Sequence, residues 1–184
     1  QLIDEIDGIA VTCMDVAMPM VIARAADFGL TGHESVEEID ANRDFYALME
    51  RIRITAGARM GLGDVTRSVM PKFGLLAAPN RGGSVAARYF MPWNCHPTMA
   101  VTGAQCLASC VLTPGTVAQG LSIPSSGTPA LVAIEHPSGS ISVTVDFEIG
   151  AQGFKLRSAG LVRTARLLAK GEVMVPGHVW SGHI

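Results

Sequence analysis

The segment Thr102–Leu112 constrains the fold more than any other part of the chain, because it is apolar on nearly every helical face. It ends at Thr113-Pro114-Gly115, a sequence that stops a helix. A helix that is hydrophobic all round is a buried one. The chain has 184 residues, 48% of them hydrophobic, and a chain of this size buries about two thirds of its unfolded surface. We therefore expect the other elements to wrap this helix in one core that needs no disulfide or metal for stability.

Short apolar and alternating runs, bounded by turn-forming residues, predict the strands around that helix. The predicted strands are 9–14, 20–24, 73–78, 84–90, 130–135, 140–148 and 154–163, with Glu172–Val175 as a further strand that could close the sheet. Residues 79–83 have a turn sequence and predict a hairpin. Residues 57–72 and 115–129 are rich in turn-forming residues and predict loops.

Two further helices are predicted on the outside of the sheet. Ser35 and Glu38 form a capping box, which marks a helix start. The second helix is predicted from Asn42 to Ala56, where apolar residues recur at helical spacing and give one buried face. These elements give the α+β class with a mixed sheet around a central helix, and the pattern leaves the topology open.

The charge and the cysteines exclude several function classes. The net charge is −2 and no Lys/Arg-rich run occurs, so we expect no nucleic-acid partner and no membrane surface. The chain lacks the glycine-rich phosphate-binding motifs of dehydrogenases and P-loop enzymes. Its four cysteines lack the CxxC pairs of a zinc site, so we expect free thiols, no metal and a reducing cytoplasm. The first residues also lack the basic and apolar regions of a signal peptide.

A series of short motifs runs through nearly the whole chain. The motifs are, in order, Asp15–Pro19, Gly61–Thr66, Met70–Lys72, Ala77–Pro79, Cys95–Ala104, Pro114-Gly115, Glu135–Gly139 and Leu161–Arg166. This series resembles the second half of 4-oxalomesaconate tautomerases, and the related 2-methylaconitate and methylitaconate isomerases of the PrpF-like family share much of it.

The resemblance implies the diaminopimelate-epimerase-like fold, an α+β lobe with a mixed or antiparallel sheet rolled around a central buried helix. Residues 1–184 would form the C-terminal lobe of a two-lobed isomerase, and the catalytic Lys and Cys proposed for the family would lie in the N-terminal lobe. The implied function is cofactor-independent isomerisation or tautomerisation of conjugated polycarboxylic acids by proton transfer through a dienolate. Its partners would be the small polycarboxylate and the N-terminal lobe, and a homodimer is a further expectation.

The resemblance also places substrate between helix N-termini, which makes the start of the central helix the main candidate site. The helix dipole and the unpaired N–H groups there favour an anion. We expect Thr102 to donate its hydroxyl, and Gly103 and Ala104 to leave the backbone uncovered. The alternative is that these small residues only permit close packing.

The segment before this helix supplies further candidates. His96 could donate a hydrogen bond to a carboxylate or transfer a proton, or be a structural donor. Thr98 is expected to bind substrate, and Met99 and Met18 to form apolar walls against its carbon chain, although Met is usually core filler. Cys95 is a weak catalytic candidate. A helix terminus would favour its thiolate, and an inert thiol is the alternative.

The remaining candidates lie elsewhere in the chain. His136 and Ser138 occupy a tight turn whose N–H and hydroxyl groups could close on a second carboxylate, and an ordinary hairpin turn is the alternative. The Ser138 hydroxyl has no other task evident from the sequence. Lys72, Arg163 and Arg166 are weaker candidates for fixed cations, since pairing with Asp or Glu commonly explains such residues.

Two departures from the related proteins bear on the mechanism. Relatives often carry Asn-Gly where this chain has Val16-Ala17, which removes an amide contact to substrate. Diaminopimelate epimerases carry a catalytic Cys where this chain has Ala100 or Val101, which disfavours a two-thiol mechanism.

A different class of function also remains open, namely a catalytically idle carboxylate-binding or dimerisation domain.

Overall fold

The computed structural model describes residues 2–123, 127–151, 153–163 and 165–182. Within these ranges eight strands form one sheet in chain order. The strands are β1 (Asp4–Ile6), β2 (Ile9–Asp15), β3 (Pro19–Arg24), β4 (Lys72–Ala77), β5 (Val85–Phe90), β6 (Ala130–His136), β7 (Gly139–Gly150) and β8 (Gly153–Leu161). The α-helices are α1 (Val36–Asp40), α2 (Arg43–Arg59) and α3 (Val101–Leu112), and a 3-10 turn covers Ala25–Phe28.

The strands pair antiparallel except at two places, β3 with β4 and β5 with β6, where they are parallel. Parallel neighbours need a crossover connection, which is usually helical. The first crossover contains α1 and α2, and the second contains α3. The mixed sheet predicted from the sequence is confirmed, and the two parallel pairs follow from the two helical connections.

The helices α3 and α2 cover opposite faces of the sheet, and strand alternation divides the core into two clusters. In β3, Met20 and Ile22 pack in the cluster that contains α3. Val21 and Ala23 point the other way, into the cluster that contains α2. The predicted buried helix is confirmed, since Leu107 is fully buried. None of the described helices has the length and apolar character needed to cross a membrane.

Helix α2 presents one buried face to the sheet, as its periodicity predicts. The Asn42 side chain accepts a hydrogen bond from the N–H of Phe45 and so caps the helix start. The helix continues to Arg59 instead of ending at Ala56. A Cβ at Gly57 would lie 2.7 Å from Cγ2 of Val65, so the glycine that suggested a loop serves close packing inside the helix.

A buried arginine of α2 fixes the segment that follows the helix. Arg53 is fully buried, and its guanidinium binds both carboxylate oxygens of Glu50, at 2.6 and 2.7 Å. It also donates to the carbonyl oxygens of Val65 at 3.0 Å, Ser68 at 3.1 Å and Met70 at 3.2 Å. The predicted loop is therefore held in one conformation by a single cation, which the sequence analysis missed.

Two strand predictions differ from the structure. The short strand β1 was missed because Asp4–Ile6 is too short to show a period. The expected strand Glu172–Val175 is wrong, because these residues have no regular structure, and Val173 and Met174 are each 87% exposed. An apolar run forms a strand only where a neighbouring edge pairs with it, and no described strand pairs with this run.

Candidate functional site

The predicted site residues gather at one end of the sheet. β3 begins at Pro19 and pairs in parallel with the start of β4. β5 ends at Phe90, which pairs with Phe73 near the start of β4, and β6 runs parallel to β5 and ends at His136. Helix α3 begins at the same end, because the Thr102 hydroxyl lies 3.2 Å from the sulfur of Met18.

The start of α3 has no side-chain cap. Its N-cap residue is Ala100, and its first turn carries no acidic residue. In contrast, α1 is capped by Ser35 and α2 by Asn42. The N–H of Ala104 donates to the Ala100 carbonyl at 2.8 Å, so helix geometry leaves the N–H groups of residues 101–103 without intrahelical partners. These donors and the partial positive charge of the helix end suit an anion.

The first turn of α3 is packed on one side and exposed on the other. Val101 and Thr102 are exposed, whereas Gly103 and Ala104 are buried. A Cβ at Gly103 would lie 2.5 Å from Cε2 of Tyr89. Close packing therefore explains Gly103 and Ala104, as the alternative interpretation held, and the candidate groups for an anion are the unpaired N–H groups of the first turn and the Thr102 hydroxyl.

The sulfur of Met18 accepts two hydroxyl groups at this helix start. Thr102 donates to it at 3.2 Å and Tyr89 at 3.4 Å. Met18 is 7% exposed and packs in the core around α3, as does Met99. A thioether is a weak acceptor, so Met18 orders the two hydroxyls without committing the Thr102 proton to a strong bond. Both methionines therefore pack as core residues beside the site.

The backbone N–H of Thr98 fixes the tautomer of His96. The N–H of Thr98 donates to Nδ1 of His96 at 3.0 Å, and the Thr98 hydroxyl lies 3.2 Å from the same nitrogen. Because an amide N–H can only donate, Nδ1 is an acceptor, and the neutral ring carries its proton on Nε2. His96 can therefore act as a hydrogen-bond donor through Nε2. The His96 N–H donates to the carbonyl of Tyr89 at 2.7 Å, which ties this loop to β5.

The turn between β6 and β7 is bound to the loop before α3. The Ser138 hydroxyl donates to the Pro97 carbonyl at 2.6 Å. The expectation that this hydroxyl has no other task is therefore wrong. Because its one proton is already donated, Ser138 is better suited to hold the turn in place than to donate to a carboxylate.

His136 carries an unsatisfied buried atom beside the helix start. The residue is 8% exposed, and its buried Nδ1 has no hydrogen-bond partner among the residues described. Burial lowers the pKa of His136, and the nearby charges of Arg81, Arg88 and His96 lower it further. The ring is therefore neutral around pH 7. A buried polar atom without a partner costs about 1–3 kcal/mol, so this ring nitrogen lowers the stability of the fold.

A groove of about 680 Å³ connects several of these residues. It contains four predicted residues, Thr98, Met99, His136 and Arg163. Its other walls are Ser140, Ile141, Ser142, Leu161 and Val162. Ser140 and Ser142 were not predicted, although their spacing of two residues at the start of β7 already placed both hydroxyls on one face of the strand.

The other two predicted cations do not line this groove. Lys72 begins β4 and is half-buried, and its pKa is lowered by burial and by the charge of Arg53. Arg166 lies in the exposed segment 165–182. Arg163 is therefore the cation that the structure brings to the groove.

Cys95 lies on the other side of the sheet. It is 1% exposed and packs in the cluster that contains α2. Burial raises the pKa of its thiol to about 11, and the charge of Asp40 contributes. A thiolate is therefore not formed near neutral pH, and the inert-thiol alternative is favoured. All four cysteines are free, as predicted.

Comparison with known proteins defines the family. The family model described as PrpF protein matches residues 1–176. The chain belongs to the PrpF family. It is 42% identical over 179 residues to a 4-oxalomesaconate tautomerase of Pseudomonas putida. The aligned region covers 97% of the chain and 48% of the relative. It is 39% identical over 173 residues to a (4E)-oxalomesaconate Delta-isomerase of Novosphingobium sp., which covers 94% of the chain and 48% of the relative.

A solved structure shares the fold. The crystal structure of a methylitaconate-delta-isomerase matches with a TM-score of 0.74 at 23% identity, over 89% of this chain and 48% of that chain. The PrpF-family chain thus has the α+β, diaminopimelate-epimerase-like fold that the resemblance implied. It spans about half the length of the curated relatives that it matches.

The departure from the related proteins at Val16-Ala17 has a backbone consequence in this PrpF-family chain. Ala17 has a φ of 62°, a left-handed conformation that costs a residue with a Cβ roughly 1–2 kcal/mol. A Gly at this position, as the resemblance implies for many relatives, would avoid that cost. Ala17 directly precedes Met18, so this chain holds the methionine by a strained turn.

The PrpF-family chain also contains a carboxylate that shapes its β4–β5 hairpin. Glu135 is 1% exposed and accepts hydrogen bonds from the N–H groups of Asn80 at 3.0 Å, Arg81 at 2.7 Å and Gly83 at 2.8 Å. Burial raises the pKa of this carboxyl, but these bonds outweigh burial and the pKa is lowered. Among the described residues, no three His, Cys, Asp or Glu side chains are arranged to hold a metal ion.

Proposed function

We propose that the protein containing this chain is a cofactor-independent isomerase of conjugated polycarboxylic acids, and that residues 1–184 form its C-terminal lobe. The family match and the printed names of the relatives, a tautomerase and a Delta-isomerase of oxalomesaconate, support the reaction class. The coverage of 48% of each relative supports a second lobe of similar size. We place 4-oxalomesaconate, or an equivalent 1,3-allylic shift, ahead of cis–trans isomerisation of 2-methylaconitate.

The uncapped start of α3 is the observation that carries this proposal. The reaction removes a proton beside a conjugated carboxylate or keto group, and the electron pair moves through the conjugated system onto an oxygen. The resulting dienolate then takes up a proton at another carbon or oxygen, so no atom is gained or lost. Preorganised N–H groups that face the developing negative charge stabilise such an intermediate without a metal.

Each residue brought to this end of the sheet has a role in the proposal. The N–H groups of residues 101–103 receive one carboxylate, and the Thr102 hydroxyl turns from the weak acceptor Met18 to this anion. His96 donates from Nε2, and His136 forms part of the groove wall. Arg163 receives a second carboxylate across the groove. The base that removes the carbon-bound proton would come from the other lobe.

A substrate panel tests the reaction class directly. The full-length protein is incubated in D₂O with 4-oxalomesaconate, 2-methylaconitate or aconitate, and proton NMR follows the loss of the C–H signal. Exchange and isomerisation of at least one of these acids support the proposal. Absence of exchange with all three contradicts it.

The idle-domain alternative makes a different prediction in the same experiment. A carboxylate-binding domain without activity would bind tricarballylate, a saturated tricarboxylate, and leave every C–H signal of the panel unchanged. Isothermal titration with tricarballylate beside the NMR panel therefore separates binding with turnover from binding alone.

A further inference from the structure

Tyr89 contacts three of the segments that form the helix-start site. It lies near the end of β5, on the face that packs against α3, and is 2% exposed. Its hydroxyl donates to the sulfur of Met18 at 3.4 Å. Its ring lies against the first turn of α3, where a Cβ at Gly103 would be 2.5 Å from Cε2.

The same tyrosine also holds the loop that carries His96. Its carbonyl accepts the N–H of His96 at 2.7 Å. The two rings meet edge to face, with 5.8 Å between their centroids and an interplanar angle of 67°. Such aromatic pairs are stabilised by the ring quadrupoles in addition to burial. Main chain, ring and hydroxyl of one residue thus bind three separate segments.

The Tyr89 hydroxyl keeps its proton under all ordinary conditions. Burial raises its pKa to about 12, with a smaller contribution from Cys106. It therefore remains a donor to Met18 and leaves that sulfur as an acceptor for Thr102. The exposed Thr102 hydroxyl is ordered through Met18, and Met18 is ordered through Tyr89.

We propose that Tyr89 is the positioning residue of the substrate site, which sets the first turn of α3, the Thr102 hydroxyl and the His96 ring without contacting substrate itself. This inference rests on the proposed function, because it assumes that an anion binds at the start of α3. The buried position of Tyr89 supports an action through its neighbours. A displacement of about 1 Å in such a site can cost on the order of 10²-fold in rate.

Three substitutions in the full-length protein separate the contacts of Tyr89. Tyr89→Phe removes only the bond to Met18, and we expect kcat/KM for 4-oxalomesaconate to fall less than about tenfold. Tyr89→Leu removes the ring, and we expect a fall on the order of 10²-fold. Phe28→Leu is the control for loss of a ring, because this half-buried phenylalanine packs edge to face with Phe45 in the cluster on the opposite face of the sheet. Its kcat/KM should equal that of the wild type.

The contact with Gly103 gives a readout that general destabilisation does not produce. Gly103→Ala alone should impair kcat/KM, because its methyl group meets the Tyr89 ring. In the Tyr89→Leu background the same methyl group has room, and alanine favours the helix. The double variant should therefore be no worse than Tyr89→Leu alone. Additive losses in this cycle would overturn the inference.

The outcomes also separate this inference from the proposed function. If Thr102→Val is impaired while Tyr89→Leu shows wild-type kinetics, the positioning role of Tyr89 is overturned and the helix-start site stays intact. Wild-type kinetics for Thr102→Val would remove the site on which both depend. If Tyr89→Leu fails to fold, as circular dichroism would reveal, Tyr89→Phe and Gly103→Ala decide the question, and wild-type kinetics in both would overturn the inference.

Discussion

The hydroxyl of Ser138 and the carbonyl of Pro97 are joined by a 2.6 Å hydrogen bond between residues 41 positions apart. The bond fixes the β6–β7 turn to the loop that leads into α3. His136 is the last residue of β6, directly before the turn, and His96 belongs to the loop, so one hydroxyl couples the positions of both imidazoles.

Removal of this bond should loosen the site more than it destabilises the fold. We expect Ser138→Ala to lose about 1 kcal/mol of unfolding free energy, the usual contribution of one hydrogen bond, and to raise KM with a smaller change in kcat. Urea unfolding and steady-state kinetics of the full-length protein measure the two effects. Ser158→Ala, an exposed serine of β8, is the control, and an unchanged KM in Ser138→Ala would contradict the coupling.

The Thr102 hydroxyl should act in the reaction itself. Loss of one donor to a developing oxyanion lowers kcat on the order of 10²-fold, so we expect this effect in Thr102→Val. Thr102→Ser keeps the donor and should retain most of the activity. Thr55→Val, on an exposed position of α2, controls for the loss of a helical threonine. Equal turnover of Thr102→Val and the wild type would argue against an anion at this helix end.

His136 should make stability depend on pH. Its folded pKa lies below the ordinary value of 6.5 because of burial and neighbouring cations. The folded state then binds fewer protons than the unfolded state in the window between the two pKa values. The unfolding free energy should therefore decrease as the pH falls from 6.5 toward the folded pKa. Urea unfolding across this window measures the slope, and His136→Gln should flatten it. An equal slope in the two proteins would assign the effect to other groups.

Sequence patterns predicted the elements well because each pattern reflects a local rule. The capping box of Ser35 and Glu38 is present with both of its hydrogen bonds. The all-apolar helix is buried, and the strand alternation of Met20 and Val21 matches the two sides of the sheet. These features depend on period and on capping, which can be read within one segment.

The geometry of the site could be predicted only in part. The start of α3 was the main candidate because the resemblance places substrate between helix N-termini. The sequence did not indicate that Tyr89 explains Gly103 or that Ser138 binds Pro97, since these contacts join distant segments. The position of Cys95 could not be predicted for the same reason, because its neighbour in sequence faces the site while Cys95 packs on the other side of the sheet as an inert thiol.

Glu135 should stabilise the β4–β5 hairpin through its charge. Glu135→Gln keeps the shape but weakens three hydrogen bonds from main-chain N–H groups, and we expect a loss of about 2–3 kcal/mol. Because its folded pKa lies below 4.5, this stability is present above pH 4.5 and is lost as the pH falls through the folded pKa. The difference in unfolding free energy between the wild type and Glu135→Gln should therefore be smaller below pH 4 than near pH 7, and urea unfolding at the two pH values measures it. Glu148→Gln, an exposed partner of Arg157, should cost at most about 1 kcal/mol.

Arg53 should be the most sensitive charged residue of α2. Arg53→Met leaves Glu50 without its cation and the carbonyls of Val65, Ser68 and Met70 without their donor. Breaking a buried ion pair from one side typically costs about 3–5 kcal/mol. Arg51 lies on the same helix, and its side chain, which is 62% exposed, forms an ion pair with Asp7. As the control, Arg51→Met should cost at most about 1 kcal/mol of unfolding free energy. Limited proteolysis should cut the segment 60–71 in Arg53→Met first, because that arginine holds it against α2. Equal stability and equal cleavage in the two variants would contradict this role.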